Sequence, residues 1–237
     1  MTLTYAAFHA LFTVPPVLGL GVLVGRRSDR SEVRPIAVAI IVGLALAWTI
    51  PWDNYLIARG VWDYGTGRVL GVIWRAPIEE YVFIAIQPVL TALWLSAITT
   101  GDTPTVQWQP RDAAIGLLMG GALGIAGLVG VRYTPTFYLG AIVAWASPVL
   151  ALQWAVGWRY LVARVRPLIL GVTVPTLYLS TADALAIASG IWQLSPNLTT
   201  GLTVVGLPIE EGCFFLLTNL LVVQGLLLYP WVTKRLG

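Results

Sequence analysis

Six carboxylates draw attention in this 237-residue chain because they recur in one register: Asp53, Glu79 and Glu80, then Asp183, Glu210 and Glu211. Asp53 precedes Gly60-Val61-Trp62 by seven residues, and Asp183 precedes Gly190-Ile191-Trp192 by the same seven. Pro77-Ile78-Glu79-Glu80 begins 24 residues after the first aspartate, and Pro208-Ile209-Glu210-Glu211 begins 25 after the second. After Asp112 the chain contains only three acidic residues, Asp183, Glu210 and Glu211, all within the motif. A neutral carboxylic acid can deliver a proton to an alkene, and an ionised one can take a proton back. Where water is excluded, a carbocation formed between those two steps escapes quenching. Trp62 and Trp192 recur beside the carboxyls, where an aromatic face can stabilise the cation; anchoring at a membrane interface is the other reading of the same two residues.

Single copies of these features are unremarkable. Pro-x-Glu-Glu is an ordinary helix opening, with acids near the positive end of the dipole, and a lone aspartate can cap a helix. The doubling and the apolar surroundings favour function instead, because hydrocarbon tolerates carboxyls poorly. Each aspartate nears the end of one apolar stretch and each glutamate pair opens the next, so the three carboxyls of a copy meet near one membrane face. Adjacent helical residues point about 100° apart, so one glutamate of each pair faces a shared pocket and the other holds backbone or a partner. The first copy has Arg59, Arg68 and Arg75 around it; the second has Ser189 and Gly206 in place of Arg59 and Arg75. The expectation is an ionised base or framework in the first copy and a protonated acid, the donor, at Glu210-Glu211.

The elements that position these groups follow from hydropathy. The chain is 57% hydrophobic and 11% charged, with a mean hydropathy of +0.80, which describes an all-α polytopic membrane protein. A span needs about 20 mostly apolar residues, and seven stretches qualify: 4–25, 34–55, 77–98, 112–131, 137–161, 167–189 and 208–229. Pro35, Pro77, Pro167 and Pro208 are expected in first helical turns. Arg and Lys number ten in the connections after odd spans, Arg30 among them, against four on the opposite side. That bias predicts the N-terminus outside and the C-terminus in the cytoplasm of a multi-pass cell-membrane protein. Tyr5, Phe12 and Pro15 match Tyr138, Trp145 and Pro148, and Arg34-Pro35 matches Arg166-Pro167, at offsets of 130–133 residues throughout the repeat. Residues 1–237 therefore read as one membrane domain. Repeats at about 1–100 and 135–230, three helices each, are joined by a helix at about 110–132, an arrangement that predicts parallel halves about a pseudo-twofold axis along the membrane normal.

Several classes are excluded. No Gly-x-Gly-x-x-Gly follows a strand, and no P-loop or Cys/His cluster appears, so no cofactor or metal is expected. A repeated Asp-x-x-x-Asp run is absent, against magnesium-dependent diphosphate chemistry. The net charge of +3 lies in short loops and reads as membrane orientation, not nucleic-acid binding. The only lysine, Lys234, sits in the tail, which rules out a membrane-buried Schiff base. Cys213 is a lone, packed residue, and His9 has no motif partner and reads as packed or hydrogen-bonded. No basic residue precedes the first apolar stretch, which reads as an uncleaved first helix.

Taken together, Asp53…Gly60-Val61-Trp62…Pro77-Ile78-Glu79-Glu80-Tyr81-Val82-Phe83 and the second copy ending Pro208-Ile209-Glu210-Glu211-Gly212-Cys213-Phe214-Phe215 resemble the integral-membrane lycopene cyclases. These occur as paired bacterial subunits, as a fused archaeal chain and joined to phytoene synthase in fungi. The resemblance spans essentially the whole chain. It implies redox-neutral cyclisation of the open ends of lycopene to β-rings by way of γ-carotene, without a flavin. It also implies Glu79, Glu80, Glu210, Glu211, Asp53 and Asp183 as acids and bases, with Trp62, Trp192, Phe214 and Phe215 against the substrate. Implied partners are lycopene and other membrane-dissolved carotenoids, the bilayer, a second copy or other carotenoid enzymes. Tyr81-Val82-Phe83-Ile84 departs from the paired Phe that usually follows the glutamates, which speaks against equal work by the two halves. A proton-coupled transporter and a carotenoid-binding protein without chemistry are the alternatives; the first prefers acids at mid-membrane, and the second leaves the carboxylates idle.

Overall fold

A computed structural model describes residues 3–27, 31–99 and 104–236; Arg30, counted above, lies outside them. Among the described residues seven helices are long and apolar enough to cross a membrane: α1 (Tyr5–Gly25), α2 (Pro35–Ala58), α3 (Ile78–Ile98), α4 (Pro110–Gly130), α5 (Thr134–Ala163), α6 (Val165–Ala188) and α7 (Ile209–Leu236). Their outer faces are apolar, with Leu18, Leu118 and Leu177 each more than 60% exposed, as a hydrocarbon solvent allows and water would not. The expected spans agree with these bounds to a few residues, except that α7 continues past 229 through Lys234 and Arg235. Two cations in a last turn complement the negative end of the helix dipole and favour that extension.

One local expectation is corrected. Pro77 and Pro208 are not in first helical turns; each ends a short strand just before its helix, and Pro77 has an extended ψ of 152°. The connections also contain strands that two- and three-residue stretches could not announce by periodicity. They are β1 (Trp62–Tyr64), β2 (Val72–Ile73) and β3 (Ala76–Pro77) between α2 and α3, and β4 (Trp192–Leu194), β5 (Thr203–Val204) and β6 (Leu207–Pro208) between α6 and α7. β2–β3 and β5–β6 are antiparallel hairpins. β1 pairs antiparallel with β4 in the register Trp62↔Leu194, Asp63↔Gln193, Tyr64↔Trp192.

The glycines of the motif end the helices. After α2, Gly60 at φ 71° donates its N–H to Ile57 O, and Val61 donates to Leu56 O. After α6, Gly190 at φ 69° donates to Ile187 O, and Ile191 to Ala186 O. This paired closure needs a left-handed residue, which glycine adopts without a Cβ clash. The following Val61 and Ile191 are fully buried and lead directly into β1 at Trp62 and β4 at Trp192.

Helix α4 is held against α5 by small residues. A Cβ on Gly116, Gly120 or Gly127 would lie 2.2–2.4 Å from Ala155, Ala151 or Ala144, so the backbones approach as closely as interhelical glycines permit. Arg159 pairs with Asp112 at 2.8 Å across that interface. Mid-bundle, Asn219 of α7 accepts from Gln87 (2.7 Å) and Thr91 (2.6 Å) of α3 and donates to Thr176 of α6 (3.2 Å). Asn219 also donates to Phe215 O at 2.9 Å and Thr91 to Gln87 O at 3.1 Å; in hydrocarbon, where no water competes, the bonds between helices tie the three together.

Candidate active site

The helix ends carrying the motif converge. Asp53 stands five residues before the end of α2 and Asp183 five before the end of α6, while Glu80 and Glu211 lie in the first turns of α3 and α7. All four line one cavity of about 50 Å³, walled by aromatic residues that include Trp62, Trp192, Phe83, Phe214 and Phe215. Asp53, Asp183 and Glu211 are at most 8% exposed. Residues about 130 positions apart are thus placed around a single volume, and the β1–β4 pair borders it: the strand pattern turns Trp62, Tyr64 and Trp192 toward the cavity and Asp63 and Gln193 outward.

Tyrosines hold the carboxyls. Tyr5 and Tyr64 donate to Glu80 Oε2 at 2.8 and 3.0 Å, and Tyr138 donates to Glu211 Oε1 at 2.9 Å. Trp62 Nε1 donates in turn to the Tyr64 hydroxyl at 2.9 Å. The helices bearing these tyrosines are pinned at their starts, with Tyr5 N–H donating to Arg68 O (2.8 Å) and Tyr138 N–H to Leu198 O (3.0 Å). Tyr5 packs on Trp192 with ring centroids 4.9 Å apart, and Tyr138 on Trp62 at 5.5 Å. Each tyrosine therefore grips a glutamate of its own half and a tryptophan of the other. Burial, then the charges of Glu80 and Asp53, push the Tyr64 hydroxyl well above its ordinary range, which keeps it a neutral donor. Among the described residues, Asp53 Oδ2 and Asp183 Oδ2 are buried without a hydrogen-bond partner. An unpartnered buried oxygen is costly as a carboxylate and cheaper on a neutral acid.

Glu79 and Glu210 do not join the cavity. Glu79 Oε1 accepts from Leu70 N–H at 2.8 Å, and Glu210 Oε1 accepts from the N–H and hydroxyl of Thr200 at 2.7 and 2.8 Å. The turn between successive helical side chains sends one glutamate of each pair inward and the other to the loop backbone. The arginine contrast is not realised at contact distance either. Arg59 lies over the Phe137 ring at 4.9 Å, Arg68 donates to Leu3 O at 2.8 Å, and Arg75 is exposed. Among the described residues none of the three is ion-paired to the cluster. Whatever contrast in charge exists between the two copies is therefore not made by direct ion pairs, and Glu80 and Glu211 face one shared volume.

The tyrosines were not among the site residues expected from sequence, although Tyr5 and Tyr138 were visible as a repeated pair. Tyr64, Phe8, Trp52 and Leu179 also line the cavity and have no repeated signal. Trp52 stacks on Trp145 at 4.8 Å. His9 is engaged structurally: it stacks on Tyr5 at 4.9 Å, meets Glu79 O through Nε2 at 3.0 Å and Thr13 through Nδ1 at 3.0 Å. Its orientation comes from a π-helical turn, His9–Thr13, just before Pro15-Pro16. Pro16 has no N–H for Phe12 O, and the Tyr178 hydroxyl supplies the missing donor at 2.7 Å. Among the described residues no group of three His, Cys, Asp or Glu is arranged to hold a metal ion.

Such an arrangement suits proton transfer to and from a greasy molecule, and the comparisons agree. The chain is 53% identical over 235 residues to the lycopene beta-cyclase of Halobacterium salinarum, covering 99% of each protein. It is 34% identical over 251 residues to the bifunctional lycopene cyclase/phytoene synthase of Arthroderma gypseum, covering 95% of this chain and 41% of that one. The corresponding protein of Blakeslea trispora is 29% identical over 231 residues, with 93% and 38% covered. No family model matches, and no solved structure matches. With a full-length relative more than half identical and the doubled carboxylate motif gathered at one cavity, the chain belongs to the lycopene beta-cyclase family.

Proposed function

We propose that this chain cyclises the open ends of lycopene to β-rings, by way of γ-carotene. The observation that carries the reading is the convergence of Asp53, Glu80, Asp183 and Glu211 on one aromatic-walled cavity. Four carboxyls around one volume offer a bound alkene both a proton donor and a proton acceptor. One acid adds a proton to the terminal alkene, the neighbouring double bond attacks the cation and closes a six-membered ring, and a carboxylate removes a ring proton. Electrons and protons balance, so no redox partner enters. Asp53 and Asp183, each with an unpartnered buried oxygen, suit the donating role. Glu80 and Glu211, whose oxygens accept tyrosine hydroxyls, suit the accepting one. The aromatic faces stabilise the intervening cation.

A single cavity favours successive processing of the two ends, with the one-ringed γ-carotene turned around between rounds. The parallel-repeat reading is supported by equivalent contacts in the two halves: Tyr5–Glu80 with Tyr138–Glu211, and Leu70–Glu79 with Thr200–Glu210. The mutual β1–β4 register fits the same reading. The excess of arginine at the opposite end of the bundle supports a cell-membrane orientation with the cavity toward the outer face.

Expression in bacteria that accumulate lycopene, followed by chromatography of the pigments, tests the reading. β-Carotene is the expected product. Unchanged lycopene alongside well-folded protein overturns it.

A further inference from the structure

A second space lies against the acid cavity, and its geometry points to a binding groove for the polyene chain behind the reacting end. The assignment rests on the cavity's being the cyclisation site. The groove, about 250 Å³, runs between α2, α3, α5 and α7, and Phe83 and Phe214 line both spaces. Trp145 in its wall stacks on Trp52 in the cavity wall, so the two are contiguous.

Size decides what the partition must do. A cavity of about 150 Å³ accepts one benzene ring, while the acid cavity has about 50 Å³. A closing six-membered ring therefore cannot be housed unless Phe83 and Phe214 give way toward the groove. On α7 the groove extends from Phe214 to Val222, which is roughly 12 Å of helix and a matching length of extended chain. Leu44 and Leu152 at its rim are 63% and 62% exposed, so it opens sideways to hydrocarbon. A bilayer-dissolved molecule can slide in without meeting water. The donors along it are engaged elsewhere: Trp48 Nε1 donates to Trp145 O at 3.2 Å, Gln87 to Asn219 at 2.7 Å and Gln153 Nε2 to Leu221 O at 2.8 Å, which leaves Gln153 Oε1 as the one buried oxygen in its wall without a partner among the described residues. What remains is an apolar slot closed at one end by carboxyls. That suits a long unsaturated hydrocarbon whose end reacts; a phospholipid acyl chain, the competing occupant, has no such end to present.

The test uses the purified full chain in nanodiscs, on an Asp53→Asn/Asp183→Asn background that binds without turning over. Lycopene retained per protein after gel filtration is read from its visible absorption. Leu44→Trp narrows the exposed rim without touching buried packing, and Val149→Phe fills the slot from α5. Each is expected to lower retention at least tenfold while the thermal midpoint stays within a few degrees. Undiminished retention in a folded Leu44→Trp protein overturns the groove, as does a co-purified phospholipid that lycopene fails to displace. The two readings fail separately. Groove-dependent retention with no pigment conversion in cells sinks the cyclase reading alone. Full conversion by both variants in the unaltered background, at unchanged half-saturating lycopene, sinks the groove alone.

Discussion

Tyr138 on α5 donates its hydroxyl to Glu211 on α7 at 2.9 Å, and this is the only hydroxyl donor to that carboxyl among the described residues. Glu80, its counterpart, has two, Tyr5 and Tyr64. An unmatched buried acceptor costs about 1–3 kcal/mol, and every 1.36 kcal/mol in a barrier is about tenfold in rate. Tyr138→Phe should slow ring formation by roughly 10- to 100-fold, whereas Tyr5→Phe should slow it less, because Tyr64 remains. Initial rates of pigment conversion check the order; equal losses would remove the positioning argument.

The two glutamates of each pair should behave differently. Glu80→Gln and Glu211→Gln remove a proton acceptor and should each lower turnover by about 100-fold or more. Glu79→Gln and Glu210→Gln keep the oxygen that accepts from Leu70 or Thr200 and should leave turnover within a few fold. Glu79→Ala and Glu210→Ala lose that acceptor and should lower stability by about 1–3 kcal/mol, read as a reduced thermal midpoint in detergent.

Cation stabilisation and interfacial anchoring by Trp192 separate by substitution. If the ring face matters, Trp192→Phe should keep most of the activity and Trp192→Leu should lose about tenfold, in line with a contribution of 1–2 kcal/mol from a desolvated aromatic face. An anchor would show instead as lowered membrane insertion of both, with turnover per inserted molecule unchanged.

At the opposite end of the bundle, buried Arg164 pairs with buried Glu32. Burial holds the Glu32 carboxyl above its ordinary range even though Arg164 pulls it down. The folded state then binds a proton more readily than the unfolded chain does. The contribution of Glu32 to stability is fullest below the ordinary carboxyl range and declines as pH rises through the raised folded value. Arg164→Met removes the opposing cation, so stability should fall by about 3–5 kcal/mol at neutral pH and by less at pH 5. Thermal midpoints of both proteins at the two pH values check the sign.

The seven spans, apart from the C-terminal extent of α7, were legible from residues alone to within a few positions, because hydropathy and helix stops are local properties. The pairing of Asp53 with Gly60 and of Asp183 with Gly190 already encodes an acid near the end of a helix closed by a left-handed glycine. The doubled Glu-Glu encodes an acid at the start of the next helix, and the family resemblance rested on those same positions. Pro77 and Pro208 misled because proline before a helix and proline within its first turn look alike in sequence.

What the residues by themselves determined is the chemistry available: carboxyls and aromatic faces held at helix ends in a membrane. Only the tertiary structure decided that two acid clusters form one cavity, that Glu80 and Glu211 enter it while Glu79 and Glu210 brace loops, and that the arginines point elsewhere. The tyrosine donors also emerged only there. The reason is physical. Spans and caps depend on neighbours within a turn or two, whereas the cavity depends on β1 meeting β4 and on helices packing across about 130 residues of chain, and no local pattern records which side chains those contacts turn inward.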